Sequence, residues 1–169
     1  VLIQEPGGTP IGRRLRKILL DSDQNALNPF EECLLYEASR SLLVRHIIRP
    51  ALQRGCVVVL DRFQDSTWVY QGWAGGVDIE LVDALGSSAT GGIRPDLTFL
   101  MDLPVRKGLL RVKRPNRMEA KSLAFHAKVR AGYLALARRD PTRFRIIRTD
   151  RPMEEVIRLI REEVQNVLR

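Results

Sequence analysis

Cysteine and histidine are scarce in this chain, with two of each among 169 residues. Cys33 and Cys56 have no metal-like spacing and build no disulfide framework. They read as small apolar core residues of a cytoplasmic protein. His46 and His126 stand near no candidate nucleophile. No Ser-His-Asp arrangement or zinc pattern appears, so neither chemistry has support. No apolar run approaches the ~20 residues that a membrane span needs, so no membrane partner is expected. The opening residues carry no signal-peptide pattern, and export has no support. Internal repeats, low-complexity tracts and linkers are also missing, which predicts a single domain over residues 1–169. An apolar fraction of 44% and a charged fraction of 28% suit a globular chain and exclude a disordered one.

Positive charge is abundant. The net charge is +8 and the isoelectric point is about 10.2. Arginine supplies 23 of the 28 basic residues, and its planar fork suits bidentate phosphate contacts better than lysine does. That favours an anionic partner, either nucleic acid or a phosphorylated small molecule. A solvated surface with biased arginine usage explains the same numbers, so charge alone does not decide.

The pattern alternates between strands and helices. Val1 to Gln4 reads as the tail of a buried strand. Ile11, Leu15, Ile18 and Leu19 recur at helical spacing between Thr9 and Leu20. A polar loop is predicted over Ser22 to Pro29. A long helix follows to about Gln53, kinked or shortened at Pro50 and stopped by Gly55. "CVVVLDR" (Cys56 to Arg62) and "DLTFLMDL" (Asp96 to Leu103) read as strands buried on both faces of a parallel sheet. Helices are predicted near 66–70, 78–85, 104–113 and 119–139, with a last strand over Phe144 to Thr149. The C-terminal helix carries Val156, Ile160, Val164 and Leu168 on one stripe. The fold class is therefore α/β, a parallel sheet with helices on both faces.

Parallel sheets bind ligands at the carboxyl ends of their strands. Three polar clusters fall there. Glu5 to Thr9 holds Gly7 and Gly8, which allow backbone to approach a ligand closely; an ordinary turn is the alternative. Asp61-Arg62 pairs an acid suited to Mg²⁺, or to a water on it, with a phosphate-binding arginine; an internal ion pair is the alternative. Asp102 is expected to cap the helix at Pro104. Tyr36 and Arg40 are four residues apart and share a helix face, where they suit a planar base; Tyr36 as plain core is the alternative. Arg111, Lys113, Arg114 and Arg117 crowd the segment 111–121, either a lid over a polyphosphate or a solvated basic loop.

Five ordered blocks carry a resemblance: "EPGGTPIGRRLRKILL", "LLYEASR" with "IIRPAL", "DRFQDSTWVYQG", "RPDLTFLMDLP" and "RPNRMEAKSLAFHAKVRAGYLAL". Together they resemble the bacterial thymidylate kinases, P-loop nucleoside monophosphate kinases that transfer the ATP γ-phosphate to dTMP. The resemblance implies ATP as co-substrate, Mg²⁺, a homodimer, and no stable nucleic acid. It implies that Tyr36 stacks on thymine and that Arg40 bonds its O4 edge. Thr67 and Gln71 would also meet the base, and Tyr70 would crowd the sugar 2′ position. Arg16 and Arg62 would hold the dTMP phosphate. Glu5 and Asp61 would lie beside phosphates and Mg²⁺. Arg114 and Arg117, from the lid, would join Arg62 around the transferring phosphoryl group, a reaction that needs positioning and positive charge more than covalent help.

Departures from the family pattern are Gln4, Ser39, Gly75, Asn116 and Arg148. No Gly-x-x-x-x-Gly-Lys-Ser/Thr loop occurs anywhere. In the family that loop follows a first strand lying between the "VVVLD" and "LTFLMD" strands. The chain is therefore expected to be roughly the C-terminal four-fifths of a longer kinase, inactive without that loop. Two other readings compete with the kinase: a degenerate homologue that binds nucleotide without transfer, and a basic nucleic-acid-binding domain.

Overall fold

The computed structural model describes residues 1–21 and 27–167; Ser22 to Ala26 of the predicted polar loop and Leu168 of the predicted stripe lie outside them. The chain divides into two compact units. The first is Val1–Ile93 with Arg114–Lys121, and the second is Arg94–Lys113 with the chain from Ser122 onward.

In the first unit, β1 (Leu2–Gln4) pairs in parallel with β2 (Val59–Asp61), Ile3 facing Leu60 and Gln4 facing Asp61. The turn after β1 uses Gly7 and Gly8 at φ 149° and 76°. A Cβ on Gly8 would lie 2.6 Å from Leu43 Cδ1, so glycine serves both conformation and packing there. Helix α1 (Pro10–Leu20) starts at Thr9, whose Oγ1 accepts from the Gly12 amide at 2.9 Å. Helix α2 (Pro29–Leu43) starts with a capping box between Asn28 and Glu31. It runs through a π turn, Val44–Ile48, into α3 (Arg49–Gln53). The predicted long helix thus continues past Pro50. The proline supplies no amide to the helix ladder, and the wide turn just before it absorbs the mismatch.

Ile3, Leu43, Val44, Ile48 and Phe63 form a buried core, with Val58 and Leu60 packed against it. The alternate residues Val57 and Val59 are more than half exposed. The expected burial on both faces is not met at these positions, because only Val58 and Leu60 turn toward that core. Helix α4 (Gln64–Thr67) passes into a second π turn, Trp68–Trp73, in which Trp68 and Trp73 stack at 5.9 Å. Helix α5 (Ile79–Thr90) outruns its predicted end at Leu85. It stops at Gly91, which takes the left-handed conformation at φ 59°.

In the second unit, β3 (Thr98–Asp102) pairs in parallel with β4 (Phe144–Arg148). Helix α6 (Val105–Leu109) is short, α7 spans Leu123–Arg139 and α8 spans Met153–Val167. Phe144, Ile147, Val129, Leu136 and Val156 are buried. Asp102 does not cap α6. Its carboxylate takes two bonds from Arg130, at 2.7 and 2.8 Å, and Pro104 begins the helix without a side-chain cap. A bidentate charge-assisted pair outcompetes a single cap bond. No described helix is long and apolar enough to cross a membrane.

Candidate active site

The ends of β1 and β2 bring two sequence neighbourhoods together. The Glu5 amide donates to the Asp61 carbonyl at 3.0 Å, and Gln4 Nε2 donates to Asp61 Oδ2 at 3.0 Å. Asp61 itself is exposed. Arg62, next along, has φ 70°, an uncommon conformation for a residue with a side chain and one that concentrates at functional sites. Its guanidinium lies 5.3 Å from the Tyr70 ring centroid. Arg16, on α1, donates to the Pro6 carbonyl at 3.0 Å, which turns it back toward the glycine turn.

Arg40 sits at the centre of a buried network and is 1% exposed. Nε donates to Glu5 at 3.1 Å. Nη1 donates to Glu37 at 2.5 Å and to Gln64 at 2.6 Å, and Nη2 donates to Thr67 Oγ1 at 3.0 Å. Four of its five N–H groups are therefore spent within the protein, leaving one on Nη2. Phe63 lies 5.5 Å beneath the guanidinium. Two carboxylates share this one cation. Burial pushes the Glu5 carboxyl up to about 7 despite the opposing pull of Arg40, and it raises Glu37 as well. Glu5 Oε1 and Glu37 Oε2 receive no hydrogen bond among the described residues.

A second network lies on the same helix. Glu32, 1% exposed, accepts from Gln71 Nε2 at 2.8 Å and from Arg117 Nη1 at 2.7 Å, with Lys121 Nζ 3.5 Å away. Arg117 also donates from Nε to the Leu19 carbonyl at 3.0 Å, and its backbone amide meets the Leu20 carbonyl at 3.3 Å. Tyr36 lies half-buried near both networks. Burial first, then Glu32, push its phenol up to about 12, against the pull of Arg62 and Arg117. The phenol therefore stays neutral, an apolar plane with one hydrogen-bonding tip.

Most of the residues singled out in the sequence meet in this first unit. Tyr36, Arg40, Thr67, Tyr70, Gln71 and Arg62 gather around α2 and the second π turn, with Glu5, Arg16 and Asp61 at the strand ends. Arg114 is exposed on the segment that Arg117 anchors. Two positions differ from the sequence reading. Glu5 is enclosed and paired with Arg40, so its carboxylate does not suit a metal. Arg117 is pinned to Glu32 and α1 instead of extending freely toward a phosphoryl group. Among the described residues, no three metal-ligating side chains cluster. A single exposed carboxylate beside phosphates suffices for Mg²⁺, which keeps several of its waters, and Asp61 fits that pattern.

Glu32, Glu37 and Gln64 were not singled out in the sequence. Glu37 had a signal, standing three residues before Arg40 on one helix face. Glu32 had only its inward position beside buried Cys33, and Gln64 had none.

Comparison with known proteins gives one consistent result. The family model described as thymidylate kinase matches residues 1–160. A thymidylate kinase of Desulfovibrio desulfuricans is 46% identical over 179 residues, covering 100% of this chain and 82% of the relative. That of Desulfosudis oleivorans is 48% identical over 166 residues, covering 92% and 78%. The crystal structure of thymidylate kinase from Ehrlichia chaffeensis superposes with a TM-score of 0.78 at 30% identity, covering 98% of this chain and 79% of that one.

Proposed function

This chain belongs to the thymidylate kinase family, and from that premise we propose which of its residues hold the nucleotide. The reaction is that of a nucleoside monophosphate kinase: the γ-phosphate of ATP passes to dTMP and gives dTDP. Nothing in the comparisons favours a homologue that binds without transfer.

The observation that carries the site assignment is that α2 bonds the 64–71 segment twice, Arg40 to Thr67 and Glu32 to Gln71, with Tyr36 between these two positions on the helix. One aromatic face and three polar groups come from these two segments. In this reading Tyr36 stacks on thymine, and the remaining N–H of Arg40 Nη2 meets O4. Thr67 and Gln71 complete the base contact, and Tyr70 crowds the sugar 2′ position. Arg62 and Arg16 hold the dTMP phosphate, with Glu5 acting through Arg40. Arg114 reaches the transferring phosphoryl group and Arg117 anchors the segment that carries it. Asp61 would hold Mg²⁺, directly or through a water, and the ion would offset charge on the phosphates when bound. Fixed guanidinium groups around a phosphoryl group supply positioning and charge stabilisation together.

We also place the protein in the cytoplasm as a homodimer. Support for the dimer is the exposed apolar stripe of Phe30, Leu34 and Ala38 on α2. Tyr36→Leu tests the base site. A lost stack is worth about 1–3 kcal/mol, so dTMP affinity should fall roughly tenfold while ATP affinity holds. Unchanged dTMP binding would remove Tyr36 from the site.

A further inference from the structure

We propose that Glu32 is a positioning residue that fixes the polarity of Gln71 and thereby selects a thymine base over a cytosine base. The inference rests on the reading above in which Gln71 meets the base.

A carboxamide is ambidextrous. Turning its last torsion by half a turn exchanges donor and acceptor with almost no change in shape. Gln71 is 1% exposed, so water does not offer either end an easy partner. What it faces on one side is the Glu32 carboxylate, at 2.8 Å. Glu32 is paired through its other oxygen with Arg117 at 2.7 Å, so it is a pure acceptor. Only the Nε2 end of Gln71 can meet it. The flipped amide would set two acceptors against each other in a buried site, which costs the hydrogen bond and leaves both groups unsatisfied. Gln71 Oε1 is therefore the end left to receive a ligand.

An acceptor offered to the base selects one with a ring N–H. Thymine carries one at N3. Cytosine carries a lone pair there, which would face Oε1 unpaired. Arg117 contributes indirectly: its bond to Oε1 of Glu32 leaves Oε2 for Gln71. All three residues lie in the first unit and come from three separated stretches, α2, the second π turn and the segment 114–121.

The test compares dTMP with 5-methyl-dCMP, which keeps the methyl group and the shape of the ring. Affinities of both are measured by titration calorimetry on the 169-residue chain, on Glu32→Gln, on Gln71→Leu and on the double variant. Glutamine at position 32 keeps its oxygen on Arg117 and turns its NH2 toward Gln71, so Gln71 is no longer held with its oxygen toward the base. The preference for dTMP should fall about tenfold in Glu32→Gln, and by no more in the double variant than in Gln71→Leu. The contribution of Arg40 at the 4-position is common to all four proteins and cancels. If the preference falls in Gln71→Leu but not in Glu32→Gln, the role of Glu32 is refuted and the base contact stands. If Gln71→Leu itself leaves the preference unchanged, the base contact is refuted. Should Glu32→Gln not fold, Glu32→Met with Arg117→Met removes the two charges of the buried pair together. The same tenfold fall is expected, and an unchanged preference overturns the proposal.

Discussion

The two units use arginine on different terms. In the first, Arg40 and Arg117 are buried against Glu5, Glu37 and Glu32, with at most a tenth of each side chain exposed. In the second, the pairs Arg145–Glu163, Arg151–Glu155 and Arg158–Glu162 have a third to more than half of each side chain in water. Surface pairs trade water for water-like company and gain little. Buried pairs give up hydration that their mutual attraction barely repays, so they persist where they hold something in position. The contrast explains why the first unit is the one that reads as a site.

The comparison is most exposed to failure at Arg40→Met. This variant strands Glu5 and Glu37 without a cation, and a loss of about 3–5 kcal/mol is expected. Denaturant unfolding followed by tryptophan fluorescence reads it directly, because Trp68 and Trp73 both lie in the first unit. A loss no larger than that of a surface pair would erase the distinction between the units.

Next comes a pH effect confined to the first unit. Glu5 holds its proton up to about 7 in the folded chain, against a reference of 4.5. Between those values the folded state binds the proton and the unfolded state does not. Stability therefore falls as pH rises through this window, by about 3 kcal/mol at most. Glu5→Gln stays neutral at every pH and should flatten that slope. Parallel stability curves for the two proteins from pH 5 to 8 would show that Glu5 does not titrate there.

Smaller effects belong to the second unit. Arg130→Met removes both bonds to Asp102, a partly exposed pair, and should cost about 1 kcal/mol in thermal unfolding followed by circular dichroism. The Arg130 hydrogen bonds hold the Asp102 carboxyl below its usual range. That contribution is present above the unfolded value and disappears as pH falls through the folded one, the reverse of Glu5. Arg158→Ala breaks an exposed pair one helical turn long and should change stability by less than about 0.5 kcal/mol. An equal cost for Arg158→Ala and Arg40→Met would mean that burial is not what separates the units.

Much of this was legible in the sequence because it is local. Alternation of strand and helix and the shared face of Tyr36 and Arg40 depend on residues within a turn or two. What was not legible depends on distance along the chain. Glu32 meets Gln71 across 39 positions and Arg117 across 85. No periodicity encodes such a pairing. Arg117 looked like a free lid cation because basic clusters carry no label for the member that turns inward. The exposure of Val57 and Val59 was hidden for a related reason: an apolar run records what a strand tolerates on each face, not what covers it. Helix α5 outran its predicted end because "GSSAT" is a weak helix former held by its neighbours, and only Gly91 sets the stop.

One consequence concerns the last turn of α1. Its carbonyls at Leu19 and Leu20 are answered by the side chain and the amide of Arg117, a residue almost a hundred positions away. The segment 114–121 thus caps the end of a helix to which it does not belong. Without it two acceptors are bared together, and Arg16 stands just one turn upstream. In the reading proposed above, in which Arg16 holds the phosphate, losing Arg117 would be felt as fraying at the base of the arm that Arg16 extends.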